Sequence, residues 1–247
     1  IGAEYDTTFG DPVDKMEAGN LARDTAAFRH DVIFNTDVPE HVSLNRKLLS
    51  VQADASVTYL TVGHTKALHD LLVSEPDSIS NLSGMELVRK KVKRWVALGG
   101  LNANLSSDYG SKDWNFFRNG TQDYTDYLLE NFPCPVYLNN AGCEVLTGQS
   151  LVHSTSGSIV RTAYRDWLWE VEQKTLLDGR PSWDLAAACF AVDMDSPFFE
   201  TPERGILQFD VENGSVWEKD PNGTHYYVNQ KEGVGEAFAA YLNSLME

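Results

Sequence analysis

Cysteine is scarce: Cys134, Cys143 and Cys189 are the full set in 247 residues, with no CxxC pair and no histidine at ligand spacing. Neither a zinc site nor a disulfide-stapled scaffold is therefore indicated, and a bridge between Cys134 and Cys143 is the one pairing left open. Long apolar runs are also missing. None approaches the roughly 18 residues of a membrane span, and the start has no signal-peptide pattern, so a soluble chain with no membrane partner is expected. Positive charge is short as well. Twenty Lys+Arg against 36 Asp+Glu leave a net charge of −16, which repels phosphate backbones and removes nucleic acid from the expected partners. The one basic cluster, Arg89, Lys90, Lys91, Lys93 and Arg94, reads as a solvated helix end leading into a strand. No repeat or low-complexity tract is present.

What remains is enough chain for one large α/β domain, residues 1–247. Residues 57–62, 92–98 and 135–138 are apolar and β-rich, and helical periodicity separates them: Val42, Leu44, Leu48, Leu49 and Val51 share one face, as do Ala67, Leu68, Leu71 and Leu72. Thr121 is placed to cap a helix over QDYTDYLLEN. This β-α order predicts a mostly parallel open sheet flanked by helices. A long helix is expected over residues 158–177, with Trp167 and Trp169 in the core and Gly179 as its stop. Ser182 should open a further helix with Asp184 in its first turn. From Ile206 two Asn-Gly turns separate β-rich runs, so residues 205–230 read as an antiparallel meander, an appendage, before an amphipathic terminal helix in which Val234, Phe238, Tyr241, Leu242 and Leu245 share a face.

Chemistry concentrates in residues 92–115. A buried strand ends at Gly99-Gly100, where a ligand can approach the backbone, and Asp113, Trp114 and Asn115 follow a polar loop. His64 stands at the turn after the first strand and reads as a polar cap. Glu4, Asp6, Asp11 and Asp14 form an acidic N-terminal loop, read as solvated rather than metal-binding. Asn81, Asn104, Asn119, Asn213 and Asn222 begin five Asn-x-Ser/Thr triplets. Chance placement gives about two, so glycosylation and a secreted or extracellular location are expected, with a cytoplasmic one as the alternative.

The segments VTYLTVG, VKRWVALGG, DWNF and SWDLAAACFAVD, in that order and spacing, resemble the inosine-uridine nucleoside hydrolase family over roughly residues 42–193. The resemblance implies hydrolysis of the N-ribosidic bond of a ribonucleoside. It implies sugar contacts from Asp113, Trp114, Asn115 and Leu98, and a Ca2+ ion held in part by Asp184 and the Val62 carbonyl. The chain departs from the family pattern in three places. It has no D-x-D-x-G-x-D-D motif to supply most metal ligands and the water-activating base; His64-Thr65-Lys66-Ala67 replaces the usual Leu-Thr-Asn; Trp183 stands where some members have a histidine proton donor. Because the chain opens on Ile1, an earlier segment is expected to have been processed or trimmed away, leaving the base absent. The expectation is a protein that is inactive unless an N-terminal companion peptide, or a second copy in a homo-oligomer, completes it. The alternative is a secreted, lectin-like protein binding ribose-like sugars. A glycosidase using two carboxylates ranks third, since no motif predicts the pair.

Overall fold

The computed structural model describes residues 1–6, 8, 17–101 and 112–246. Asn104, Asp11 and Asp14 lie outside the described residues. After α1 (Glu17–Arg23) comes α2 (His41–Ser50), whose start is capped by the Glu40 carboxylate accepting from the Val42 and Ser43 N–H groups. Then follow β1 (Val57–Thr61), α3 (Lys66–Val73), α4 (Gly84–Lys91) and β2 (Val92–Leu98). A reciprocal Ser83–Glu86 capping box opens α4, and Arg89, Lys90 and Lys91 in its last turn complement the helix dipole. Next are α5 (Trp114–Phe117), α6 (Gln122–Asn131) and β3 (Val136–Asn139). The short pair β4 (Leu146–Thr147) and β5 (Arg180–Pro181) brackets α7 (Ile159–Glu172), and α8 (Trp183–Val192) follows. The chain closes with β6 (Glu203–Asp210), β7 (Gly214–Lys219), β8 (His225–Val228) and α9 (Gly235–Met246).

One six-stranded sheet has the order β1-β2-β3-β8-β6-β7, with β1, β2, β3 and β8 mutually parallel. The meander expected as an appendage is therefore continuous with the main sheet: β8 pairs parallel with β3 and antiparallel with β6, so it welds the two halves. Alternation along β2 sends side chains to two separate cores. Trp95 and Ala97 pack with Leu68, Leu71, Leu87 and Leu128 of α3, α4 and α6; Val96 packs with Phe190 of α8 and Phe238 of α9. Each such fully buried side chain contributes about 1.5–3 kcal/mol. The result is a three-layer α/β fold, helices covering both faces of the mixed sheet.

Several sequence expectations are corrected. The helix over residues 158–177 stops at Glu172, because Gln173 turns left-handed (φ 56°) and a separate 3-10 turn forms at Leu176–Asp178. Trp169 is 61% exposed rather than core, and only Trp167 joins a small cluster with Leu151, Leu168 and Leu176. On α9, Phe238 and Leu242 are buried, whereas Tyr241 and Leu245 face solvent. Cys134 and Cys143 are both free thiols. The Cys134 thiol instead donates to the Val92 carbonyl at 3.1 Å.

Candidate functional site

The carboxyl end of β2 is organised by one aspartate. Asp113 caps α5: one oxygen accepts from the Asn115 and Phe116 N–H groups (3.0 and 3.1 Å), and the other accepts from the Gly100 N–H at 2.9 Å. Burial pushes its pKa up to about 6, against the pull of those N–H bonds. The Asn115 amide donates to the Leu98 carbonyl at 2.9 Å, so Leu98, Asp113 and Asn115 form one bonded unit closing the loop back onto the strand. Gly99 and Gly100 adopt φ of +151° and +107°, and a Cβ on Gly99 would lie 2.7 Å from the Phe116 ring. The close approach predicted at these glycines is thus made by the protein's own Phe116. Trp114 is 44% exposed, with the Arg118 guanidinium 3.9 Å from its ring centre.

Beside this unit, the end of β1 leads through Val62, 39% exposed, to His64, whose Nε2 lies 3.3 Å from the Asn119 amide. Thr121 precedes α6 as predicted but does not cap it. Its hydroxyl accepts from the Thr65 N–H at 3.1 Å and lies 3.0 Å from the Thr65 hydroxyl, locking the starts of α3 and α6 together. At the end of β3, Asn139 is fully buried and its Oδ1 accepts from Ala141 N–H at 2.9 Å. Its Nδ2 has no hydrogen-bond partner among the described residues.

Immediately past β3, Gly142 accepts the Ser182 N–H, and the Ser182 hydroxyl bonds Thr147 at 2.6 Å rather than capping α8. These contacts fix the start of α8 at the same sheet edge. Asp184, in its first turn, reaches solvent, but surrounding protein crowds the carboxyl and raises its pKa, with the Arg180 charge opposing. Arg180 lies over Trp167, its guanidinium carbon 4.1 Å from the ring centre.

The structure therefore joins Leu98, Asp113 and Asn115 directly, and sets Trp114, Val62 and Asp184 at the same edge of the sheet. Helix α5 reaches that edge from the side packed by α3 and α6, and α8 from the other side. No hydrogen bond or ion pair joins Asp184 to the Asp113 unit among the described residues. Asp184 and the Val62 carbonyl are two oxygens where calcium takes six to eight, so the described residues alone do not make a calcium site. The one described grouping of ionisable side chains with metal-like spacing lies elsewhere: Glu4, His41 and Asp70. There the Lys66 ammonium is 2.6 Å from both carboxylates and supplies a cation of its own. Those two carboxylates hold the Lys66 pKa up despite burial.

Sequence reasoning missed Asn139. The signal was a polar pair, Asn139-Asn140, ending an apolar run. Of the Asn-x-Ser/Thr hydroxyls it gave only Thr121 a structural role, as a helix cap. Ser83 caps α4, Thr121 binds Thr65, and Ser215 donates to the Gly100 carbonyl, so three of the five have structural employment too.

No protein-family model and no curated protein matches the sequence. Solved structures do match the fold. An inosine-uridine preferring nucleoside hydrolase from Bacillus anthracis aligns with TM-score 0.55 at 16% identity, covering 83% of this chain and 64% of that one. A plant nucleoside hydrolase aligns with TM-score 0.52 at 17% identity, covering 98% of this chain and 70% of that one. At such identities the likeness concerns the fold, and this chain spans under two thirds of the bacterial enzyme's length.

Proposed function

We propose that the chain binds a ribose-like sugar, presented by a ribonucleoside, at the carboxyl edge of its sheet. The bonded Leu98–Asp113–Asn115 unit is the observation that carries this. Its internal bonds leave the Asn115 Oδ1, one Asn115 N–H and one Asp113 lone-pair position to meet hydroxyl groups, and they hold all three in place before a ligand arrives. Trp114 supplies a ring face beside them. Hydrolysis of the N-ribosidic bond requires in addition a base for the attacking water, and the candidate set has none. Catalysis is read as a property of this chain together with an aspartate-bearing segment, which would also complete a Ca2+ site begun by Asp184 and Val62.

The edge of the sheet supports such a companion. β1, VTYLT, carries no charge and, among the described residues, pairs on one side only, with β2. Bare uncharged edges accept added strands. The companion is an N-terminal peptide or a second copy of the chain; a lone 27.5 kDa species in light scattering and denaturing mass spectrometry counts against both. Glycan at one or more of Asn81, Asn104, Asn119, Asn213 and Asn222, and hence secretion, is part of the same reading. An unchanged intact mass after deglycosylation of natively sourced protein would remove it.

The exposed Trp114 ring beside a polar amide favours a second reading, a lectin-like protein that binds sugar without cleaving it. Assays on the chain with inosine and uridine separate the two. The expected result is weak calorimetric binding of ribose and base release no faster than buffer. Calcium-dependent release by the chain alone, abolished by Asp184→Ala, would show that the residues present suffice.

A further inference from the structure

Away from the strand-end site, unpaired positive charge collects at the opposite end of the sheet. A row crosses four adjacent strands: the Arg94 guanidinium lies 6.0 Å from the Tyr137 ring centre, Tyr137 stacks on Tyr226 at 4.7 Å, and Arg204 lies 5.8 Å from Tyr226. Strand register builds it, since Tyr226 stands opposite Tyr137 on one side and Arg204 on the other. Beside the row is a cavity of about 250 Å³ whose wall includes Phe132, Pro133, Pro135, Arg204, Thr224 and Tyr226. Arg89 and Lys93 are exposed nearby in sequence and fold; burial pushes the thiol of Cys134 in that wall up, and Arg89 is close enough to oppose it.

Among the described residues, none of Arg89, Lys93, Arg94 and Arg204 has a carboxylate within ion-pair distance. The adjacent carboxylates are already engaged, Asp54 by Lys91 and Glu203 by Lys219. In a chain whose acidic residues outnumber its basic ones 36 to 20, four cations at one end with no ion-paired carboxylate among the described residues leave a local excess of positive charge, although Arg94 and Arg204 pack on tyrosine rings and Arg204 binds the Gly223 carbonyl.

We propose that this row is a docking surface for an extended acidic segment of a partner protein. β2 and β6 are three strand spacings apart, about 14 Å, and an extended chain advances about 3.3 Å per residue. Carboxylates four residues apart therefore reach Arg94 and Arg204 together, with the segment between them lying over the two tyrosine rings. Acidic chemistry is favoured over nucleic acid because the rest of the molecule repels a polyanionic backbone much longer than the row.

Fluorescence anisotropy on the full chain at low salt tests this. The probes are a labelled nine-residue Gly/Ser/Ala peptide with glutamates four positions apart, and the same composition with the glutamates adjacent. The spaced peptide is expected to bind about threefold tighter, and Arg94→Gln with Arg204→Gln to weaken it roughly five- to tenfold, each exposed charge contact being worth about two- to fivefold. Arg165→Gln, on α7, should change nothing. Since Arg204 also donates to the Gly223 carbonyl, the exposed pair Arg89→Glu and Lys93→Glu provides a second set of variants that leaves that bond intact. Equal affinity for the two peptides, or unchanged affinity in both variant pairs, overturns the proposal. Tighter binding of a single-stranded RNA decamer than of the spaced peptide also overturns it.

Discussion

Two polar centres in this molecule are built on opposite principles. Arg46 is 1% exposed, yet each of its terminal nitrogens is bonded: to both oxygens of Asp77 (2.8 and 3.1 Å), to the Ser74 hydroxyl, and to the Ser80 and Leu82 carbonyls. It ties α2 to the loop between α3 and α4, and every nitrogen of the guanidinium has a partner. At the carboxyl edge of the sheet the accounts stay open. Among the described residues Asn139 keeps a buried Nδ2 without a partner and Arg180 a buried Nε, and Asp113 has a carboxyl whose pKa burial raises to about 6. A closed polar network holds a fold together; an open one costs stability and is kept where a ligand will close it.

The sharpest way to break this comparison is to open the closed centre. Arg46→Met removes five hydrogen bonds and strands the loop acceptors, an expected loss of about 3 kcal/mol or somewhat more in urea denaturation. Asp77 adds a pH signature. Its pKa is held down to about 2 by the Arg46 guanidinium, so its contribution is fully present above the ordinary aspartate value and disappears as pH falls through about 2. Wild type should lose stability across that acid window, and Arg46→Met should show little of that dependence. A substitution that leaves stability intact would mean the network is incidental.

Asp113 is expected to matter less to stability and with the opposite pH dependence. Asp113→Ala uncaps α5 and orphans the Gly100 N–H, costing about 1–3 kcal/mol. Because the folded pKa lies above the unfolded one, the folded state holds the proton more tightly. Its relative stability is greatest below about pH 4 and falls as pH rises through about 6. The difference in unfolding free energy between wild type and Asp113→Ala, measured from pH 4 to 7, should therefore shrink with rising pH. A difference that grows instead would show that the three N–H bonds outweigh burial.

How much of this was legible in the sequence follows the same division. Periodicity located β2 to the residue and the helices between β1 and β3, because alternating burial leaves its imprint on residue type. The 2.9–3.1 Å bonds around Asp113 were not legible, although the residue was singled out: a carboxylate looks the same in sequence whether it caps a helix or meets a ligand. Thr121 and Ser182 were read as caps for the same reason and turned out to bond other side chains. β8 was read only as a meander strand, since four residues, HYYV, carry no sign that they pair with β3 on their other edge. Arg46 was invisible. It sits in a helix that reads as amphipathic, and its partners are 28 to 36 residues away.

His225 offers a smaller test inside the core that joins the meander to the sheet. Its Nδ1 accepts from the Leu207 N–H at 3.0 Å, which makes Nε2 the protonated nitrogen, placed 3.2 Å from the Leu129 carbonyl. Burial lowers its pKa below the ordinary histidine value, so the unfolded chain binds the proton more readily. Stability contributed by the neutral ring is present above about pH 6.5 and declines as pH falls below it. His225→Gln, which can also accept and donate, should flatten the denaturation midpoint between pH 7 and 5. An unchanged slope would assign the acid sensitivity to other groups.

The smallest stability effect is expected at the most informative position. Asn139→Ala loses one bond, from Ala141 N–H, but also removes the amide whose Nδ2 is buried without a partner. A made hydrogen bond contributes about 1 kcal/mol, and an unsatisfied buried donor costs about 1–3 kcal/mol, so the two nearly cancel and the net change should stay within about 1 kcal/mol. If the open donor exists to meet a sugar hydroxyl, affinity should fall where stability does not, by roughly tenfold for one buried hydrogen bond. Paired measurements of urea midpoint and ribose binding decide it. Parallel losses in both would make Asn139 a structural residue like Arg46 and remove the contrast between the two centres; a loss in neither would leave the orphaned amide without a ligand to explain it.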